Sequence, residues 1–215
     1  MNATAGIAYF AQNTNKLKLT GAVGDYRLTY TSSSLSSDSE DVTLTHGAAT
    51  KIVVSRSASG AKSGQAFTVQ PKIQIQDADS NLVNTGAASS AQVRITVSSD
   101  AYDSAAHTGV NLTGSANFEL STASAGEATF ASARLEGVAA TYTLKFETLN
   151  TSGFNGVTAS QTLALTAGTE THLAVVQQPT AIIAGATYGT PTTTSRVMPR
   201  GPGGGLTTVA VKPPV

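Results

Sequence analysis

Four short segments recur in the same order along this chain, and no other feature constrains its fold as tightly. Gly6-Ile7-Ala8-Tyr9-Phe10 answers to Gly126-Glu127-Ala128-Thr129-Phe130, and Tyr26-Arg27-Leu28-Thr29-Tyr30 to Tyr142-Thr143-Leu144-Lys145-Phe146. Val42-Thr43-Leu44-Thr45-His46-Gly47 answers to Leu163-Ala164-Leu165-Thr166-Ala167-Gly168, and Thr50-Lys51-Ile52-Val53-Val54 to Thr171-His172-Leu173-Ala174-Val175. The spacing is about 120 residues, with small shifts of the kind loop-length changes produce. A chain repeated in this way is built from copies of one unit, each touching its neighbours. The phase cuts the 215 residues unevenly. Residues 48–168 form one complete unit, 1–47 the back end of a preceding unit and 169–191 the start of a following one. Residues 192–215 read as a Pro/Gly/Thr-rich tail or linker. Two or three strands bury too little to be stable alone. Either the chain is a piece of a longer protein, or neighbouring molecules complete its ends.

Within the complete unit, apolar and polar residues alternate with a period of two, the mark of half-buried strands. The first strand is expected at residues 50–55, with Ile52 and Val54 on one face. A long second strand places Phe67, Val69, Pro71, Ile73 and Ile75 together; Pro71 cannot donate to a ladder and so marks an edge or bulge. The polar turn Asp77-Ala78-Asp79-Ser80-Asn81 leads into Leu82-Val83. Further strands follow at Val93, Ile95 and Val97, at Phe118 and Leu120, and across residues 128–135. The last two carry Tyr142, Leu144 and Phe146, and then Leu163 and Leu165. Seven strands without a helix predict an all-β chain of immunoglobulin-like β-sandwich repeats with Greek-key connections. The unit exceeds the roughly 100 residues of a plain immunoglobulin domain. Its excess falls in residues 98–114 and 150–160. Tyr142, repeated by Tyr26, opens its strand as a tyrosine-corner residue does, and equally as an ordinary core aromatic does.

Composition narrows the function. Hydrophobic residues make up 40% of the chain, enough for a core, while only 12% are charged and the formal net charge is zero. Such a balance leaves no electrostatic footprint for nucleic acid or an anionic membrane. No apolar run is long enough to span a bilayer, so membrane insertion is not expected. The first fifteen residues lack a basic start and an apolar core, so a secreted protein would carry this chain as a mature or internal portion. Cysteine is absent, which removes disulfides, thiolate metal sites and a Cys nucleophile. A cytosolic protein and a large extracellular fibre would both explain that absence.

The run Gly64-Gln65-Ala66-Phe67-Thr68-Val69-Gln70-Pro71, followed by Ile73-Gln74-Ile75-Gln76-Asp77 and Asn81-Leu82-Val83, resembles the start of bacterial-type Ig-like tandem repeats. Gly126-Glu127-Ala128-Thr129-Phe130, then Thr141-Tyr142-Thr143-Leu144, and the closing Thr171-His172-Leu173-Ala174-Val175-Val176-Gln177-Gln178-Pro179 extend the likeness. It covers nearly all of residues 6–188. Such repeats occur in giant surface adhesins, invasin-like proteins and extracellular fibres. The resemblance implies a stalk, adhesive or filament role at the cell surface, without catalytic residues. After Pro191 the pattern departs: Pro, Gly and Thr stand where a strand and polar turn should recur.

Candidate sites are few. Asp77-Ala78-Asp79-Ser80-Asn81 has the D-x-D-x-N look of a calcium loop, but an EF-hand needs Gly at its sixth position and Glu at its twelfth, where Leu82 and Ala88 stand. A plain β-turn is the better account, ahead of a calcium site between repeats. Asp100 and Asp103 repeat the idea more weakly. His46, His107 and His172 form no ligand-spaced cluster, and His46 and His172 flank the junctions between units. No G-x-S-x-G occurs, and the glycines at 201 and 203–205 are not followed by the Lys-Ser/Thr of a phosphate-binding loop. No enzyme, cofactor or metal is therefore expected. The sequons at Asn2, Asn111 and Asn150 are candidate N-glycosylation sites in turns or loops. Thr192-Thr193-Thr194 is a candidate for O-glycosylation, a stiff linker or an ordinary surface loop.

The function expected is structural: a building block of an extracellular filament, appendage or cell-surface stalk, with neighbouring repeats or copies as partners. Short junctions at Gly47-Ala48-Ala49 and Gly168-Thr169-Glu170 should limit bending between units. An adhesin module that binds a glycan or cell-surface receptor is the first alternative. A subunit that polymerises by β-strand complementation is the second.

Overall fold

Alternation in the sequence becomes alternation in burial. In the computed structural model, which describes residues 17–98, 111–112, 118–151, 153–170, 172–175 and 197–200, the chain is all-β. The strands are β1 (Gly24–Tyr30), β2 (Asp38–Leu44), β3 (Lys51–Arg56), β4 (Ala61–Lys62), β5 (Lys72–Gln76), β6 (Gln92–Val97) and β7 (Asn111–Leu112). They continue as β8 (Phe118–Thr122), β9 (Glu127–Thr129), β10 (Leu135–Glu136), β11 (Ala140–Leu149), β12 (Thr158–Thr166), β13 (His172–Val175) and β14 (Val197–Arg200). A single 3-10 turn at Ala87–Ser90 is the helical content of the described residues. Among them no helix is long and apolar enough to cross a membrane.

A five-stranded sheet runs in the order β4-β12-β11-β6-β8, and a three-stranded one in the order β3-β5-β9. All pairings are antiparallel except β4 with β12. Both sheets turn their apolar residues into one cluster. Val93 and Ile95 of β6, Tyr142, Leu144 and Phe146 of β11, and Leu163 and Leu165 of β12 meet Ile52 of β3, Ile73 and Ile75 of β5 and Ala128 of β9. Phe130, just after β9, tilts against Phe146 with ring centroids 5.8 Å apart. The outward residues are polar and pair across strands: Arg94 with Glu147 at 2.7 Å on the large sheet, and Lys72 with Glu127 at 2.6 Å on the small one.

Two expected strands are divided. The long second strand begins only after Pro71: β5 starts at Lys72, while Phe67 and Pro71 stay buried in irregular chain held by isolated bridges from Ser59 to Val69 and from Ala66 to Arg134. Pro71 lacks an N–H, so it contributes its carbonyl alone, which accepts from Phe130 N. The strand expected across residues 128–135 is split into β9 and β10, and these pair with different partners.

Outside this core, β1 and β2 form a hairpin that matches the β11–β12 hairpin within it. β1 pairs with β2 so that Tyr26 faces Val42 and Leu28 faces Glu40; β11 pairs with β12 so that Tyr142 faces Leu163 and Leu144 faces Gln161. The sequence comparison aligns Tyr26 with Tyr142, Leu28 with Leu144 and Val42 with Leu163, so the β1–β2 and β11–β12 hairpins share one register. β13 pairs with β14 from His172 opposite Arg200 to Val175 opposite Val197, as β3 pairs with β5 from Lys51 opposite Gln76 to Val54 opposite Ile73. β14 falls inside residues 192–215, which composition marks as a tail or linker. Four residues interrupted by Pro199 give too short an alternation to stand out among Pro and Gly.

Candidate functional site

The β1–β2 hairpin meets the rest of the chain at one polar loop, the Asp77-Ala78-Asp79-Ser80-Asn81 turn that follows β5. Ser80 closes this turn with φ of 70°, a left-handed conformation that short polar residues tolerate better than most. Asp77 is buried, with 3% of its surface exposed, and its carboxylate points into the turn. Its Oδ1 accepts from the Asn81 amide at 2.8 Å, and its Oδ2 accepts from Asn81 Nδ2 at 3.0 Å and from the Gly47 amide at 2.7 Å. Such donors favour the charged form. The Asn81 side chain, followed by the Gly47 amide, holds the Asp77 carboxyl down to about 2, well below the usual carboxylate range.

Asn81 carries the connection onward. Its Nδ2 also donates to the Gly21 carbonyl at 2.8 Å, and its Oδ1 accepts from the Val23 amide at 3.0 Å. Both partners lie in the turn that leads into β1. Gly47, just beyond β2, is held by Asp77, so one loop grips both ends of the hairpin. Two flanking contacts reinforce the contact region. Lys51 Nζ donates to Ser80 Oγ at 2.7 Å, and His46 Nε2 lies 2.8 Å from Thr85 Oγ1 with Nδ1 2.8 Å from the Gly47 carbonyl. A cleft of about 360 Å³ opens beside the loop, lined by Lys18, Leu44, Thr45, Gly47, Asp77 and Asp79 among others.

This geometry suits a structural clasp better than a cation site. N–H donors occupy both Asp77 oxygens, and the Lys51 ammonium lies against the same turn, 3.4 Å from the Ala78 carbonyl. Among the described residues, no three His, Cys, Asp or Glu side chains gather in a way that could hold a metal. His46 has no carboxylate on its second ring nitrogen to orient it for base catalysis.

The other singled-out residues are dispersed. Asn150 sits exposed at the end of β11 with φ of 56°, its Nδ2 donating to Gln92 Oε1 at 2.9 Å. Asn111, expected in a turn or loop, instead opens the short strand β7, where its backbone pairs with Glu136 of β10, and His172 opens β13. Asn2, residues 6–10, Asp100, Asp103, His107, Thr192-Thr193-Thr194 and the glycines at 201 and 203–205 lie outside the described residues. Tyr142 Oη donates to the Val138 carbonyl at 2.7 Å, and Tyr26 Oη to the Ala22 carbonyl at 2.7 Å. Each hydroxyl reaches four residues back, which is the tyrosine-corner bond. Sequence reasoning singled out the Asp77 loop but missed its partners. Gly21, Val23 and Gly47 contribute main-chain groups, which leave no signature in residue type. No family model matches this chain, and no curated protein matches it.

Proposed function

We propose that this chain is a stretch of an extracellular shaft, a filament or cell-surface stalk built from immunoglobulin-like β-sandwich units in tandem. The observation that carries the reading is the shared register of the two hairpins. Tyr26 opposite Val42 and Tyr142 opposite Leu163 are equivalent pairs by sequence and by strand pairing, and both tyrosines make the same bond to the residue four back. A sequence likeness alone would not place four aligned residues in matching partnerships.

On this reading β3, β5 and β9 form one sheet of the sandwich, and β6, β8, β11 and β12, edged by β4, form the other. This order corresponds to the two sheets of an immunoglobulin-like fold. The complete unit then spans residues 48–168, after the back end of another in residues 1–47. The start of a third extends past residue 191 to include β14. Length in such an array scales with unit number, and its stiffness with the contacts at each junction. The low charge, the Thr- and Ser-bearing outward faces of β11 and β12, and the exposed sequon at Asn150 favour a glycan-decorated surface outside the cell.

Immunogold labelling of intact, unpermeabilised cells with antibody against residues 48–168 tests the placement. The expected result is gold along external filaments or stalks. Labelling that appears only after permeabilisation would overturn the extracellular reading.

A further inference from the structure

We propose that the Asp77–Asn81 loop is a docking element for the turn of the preceding unit, and that it fixes the angle between consecutive units. The inference rests on the tandem reading and adds to it the residues that set the joint. Every group the loop holds on the preceding side belongs to the main chain: the Gly21 carbonyl, the Val23 amide and the Gly47 amide. The partner it fits is therefore a shape, the turn entering a tyrosine-corner strand plus the glycine just beyond the following strand. In the contacts of this loop, all the side-chain chemistry lies on the receiving unit; the His46–Thr85 contact beside it draws on both.

Geometry explains why one loop suffices. A single hydrogen bond permits rotation about its axis, whereas three bonds to groups at both ends of a hairpin define an orientation. The carboxylate and the carboxamide are themselves bonded to each other, so neither side chain is free to swing. Asn81 supplies a donor and an acceptor from one planar group, and these match the Gly21 carbonyl and the Val23 amide together. The same partners recur one unit on as Gly137, Ala139 and Gly168, while Gly201 and Gly205 stand in sequence where Asp77 and Asn81 do. The side-chain half of the clasp thus belongs to the first junction and is not repeated in sequence at the second.

The absence of cysteine makes the test direct. Spin labels on cysteines introduced at Thr29 and Thr162, both exposed on strands either side of the joint, report the inter-unit distance in the full chain by pulsed dipolar spectroscopy. The parent should give one narrow distance distribution, and Asn81→Ala should at least double its width. Val23→Pro, which removes a donor on the hairpin side and leaves the receiving unit intact, should broaden it in the same way if Asn81→Ala perturbs the turn itself. A distribution already broad in the parent, or one equally narrow in both variants, overturns the proposal. The tandem reading is scored separately, by amide-exchange protection of the Tyr26–Val42 pairing in the parent, which does not depend on the joint being rigid.

Discussion

Asp77 shows how one residue acquires a role that its type only hints at. A D-x-D-x-N spacing suggests calcium. Here the first Asp instead turns inward, where three N–H groups take its lone pairs, and a buried carboxylate so satisfied has no reason to recruit a cation. The protonation consequence follows with a definite sign. Because the folded-state value lies near 2, below the ordinary 3.8, the stabilisation is complete above about pH 4 and fades as pH falls toward 2. The parent should therefore lose stability between pH 4 and 2 more steeply than Asp77→Asn, read as urea midpoints across that range. Glu127 and Glu147, also held low by their hydrogen-bond and cationic partners, titrate alike in both proteins and cancel in the comparison. Coincident acid profiles would contradict the assignment.

At the scale of elements, period-two alternation located the strands that carry the core. Ile73 and Ile75, Val93 and Ile95, and Tyr142, Leu144 and Phe146 are buried on one face each, as the pattern requires. Alternation failed where the backbone, and not the side chains, decides. Phe67 and Val69 keep the apolar rhythm, yet Pro71 interrupts the ladder, and β5 begins after it. β14 was illegible for the opposite reason, since its four residues carry too little pattern to compete with nearby Pro and Gly. The clasp was half legible: Asp77 and Asn81 stood out as a polar turn, whereas their main-chain partners could be found only once strand pairing had brought them near. The core itself makes a sharp prediction. Phe146 is fully buried and meets Phe130 across the two sheets, so Phe146→Ala leaves a cavity and should cost about 3–5 kcal/mol. Chemical denaturation would measure it, and a cost below about 1 kcal/mol would mean the sheets do not close on that ring.

Across the whole molecule, a repeat in sequence coincides with a register in three dimensions, Tyr26 opposite Val42 and Tyr142 opposite Leu163. The repeat alone left the placement of strands open, and a hairpin alone would leave its neighbours unidentified. On the proposed tandem reading the unit runs from β3 to β12, with β1–β2 the end of a preceding unit and β13–β14 the start of a following one. On that reading a shaft resists extension unit by unit, because each core closes within its own repeat, while the joint is crossed by the connecting chain, the polar clasp and the His46–Thr85 hydrogen bond. Single-molecule stretching of the full chain tests this most directly. Release of residues 48–168 should appear as one discrete step of roughly 40 nm, at about 3.5 Å of contour per residue. A gradual extension without that step, or one step releasing the β1–β2 hairpin together with the whole of β3 to β12, would contradict it.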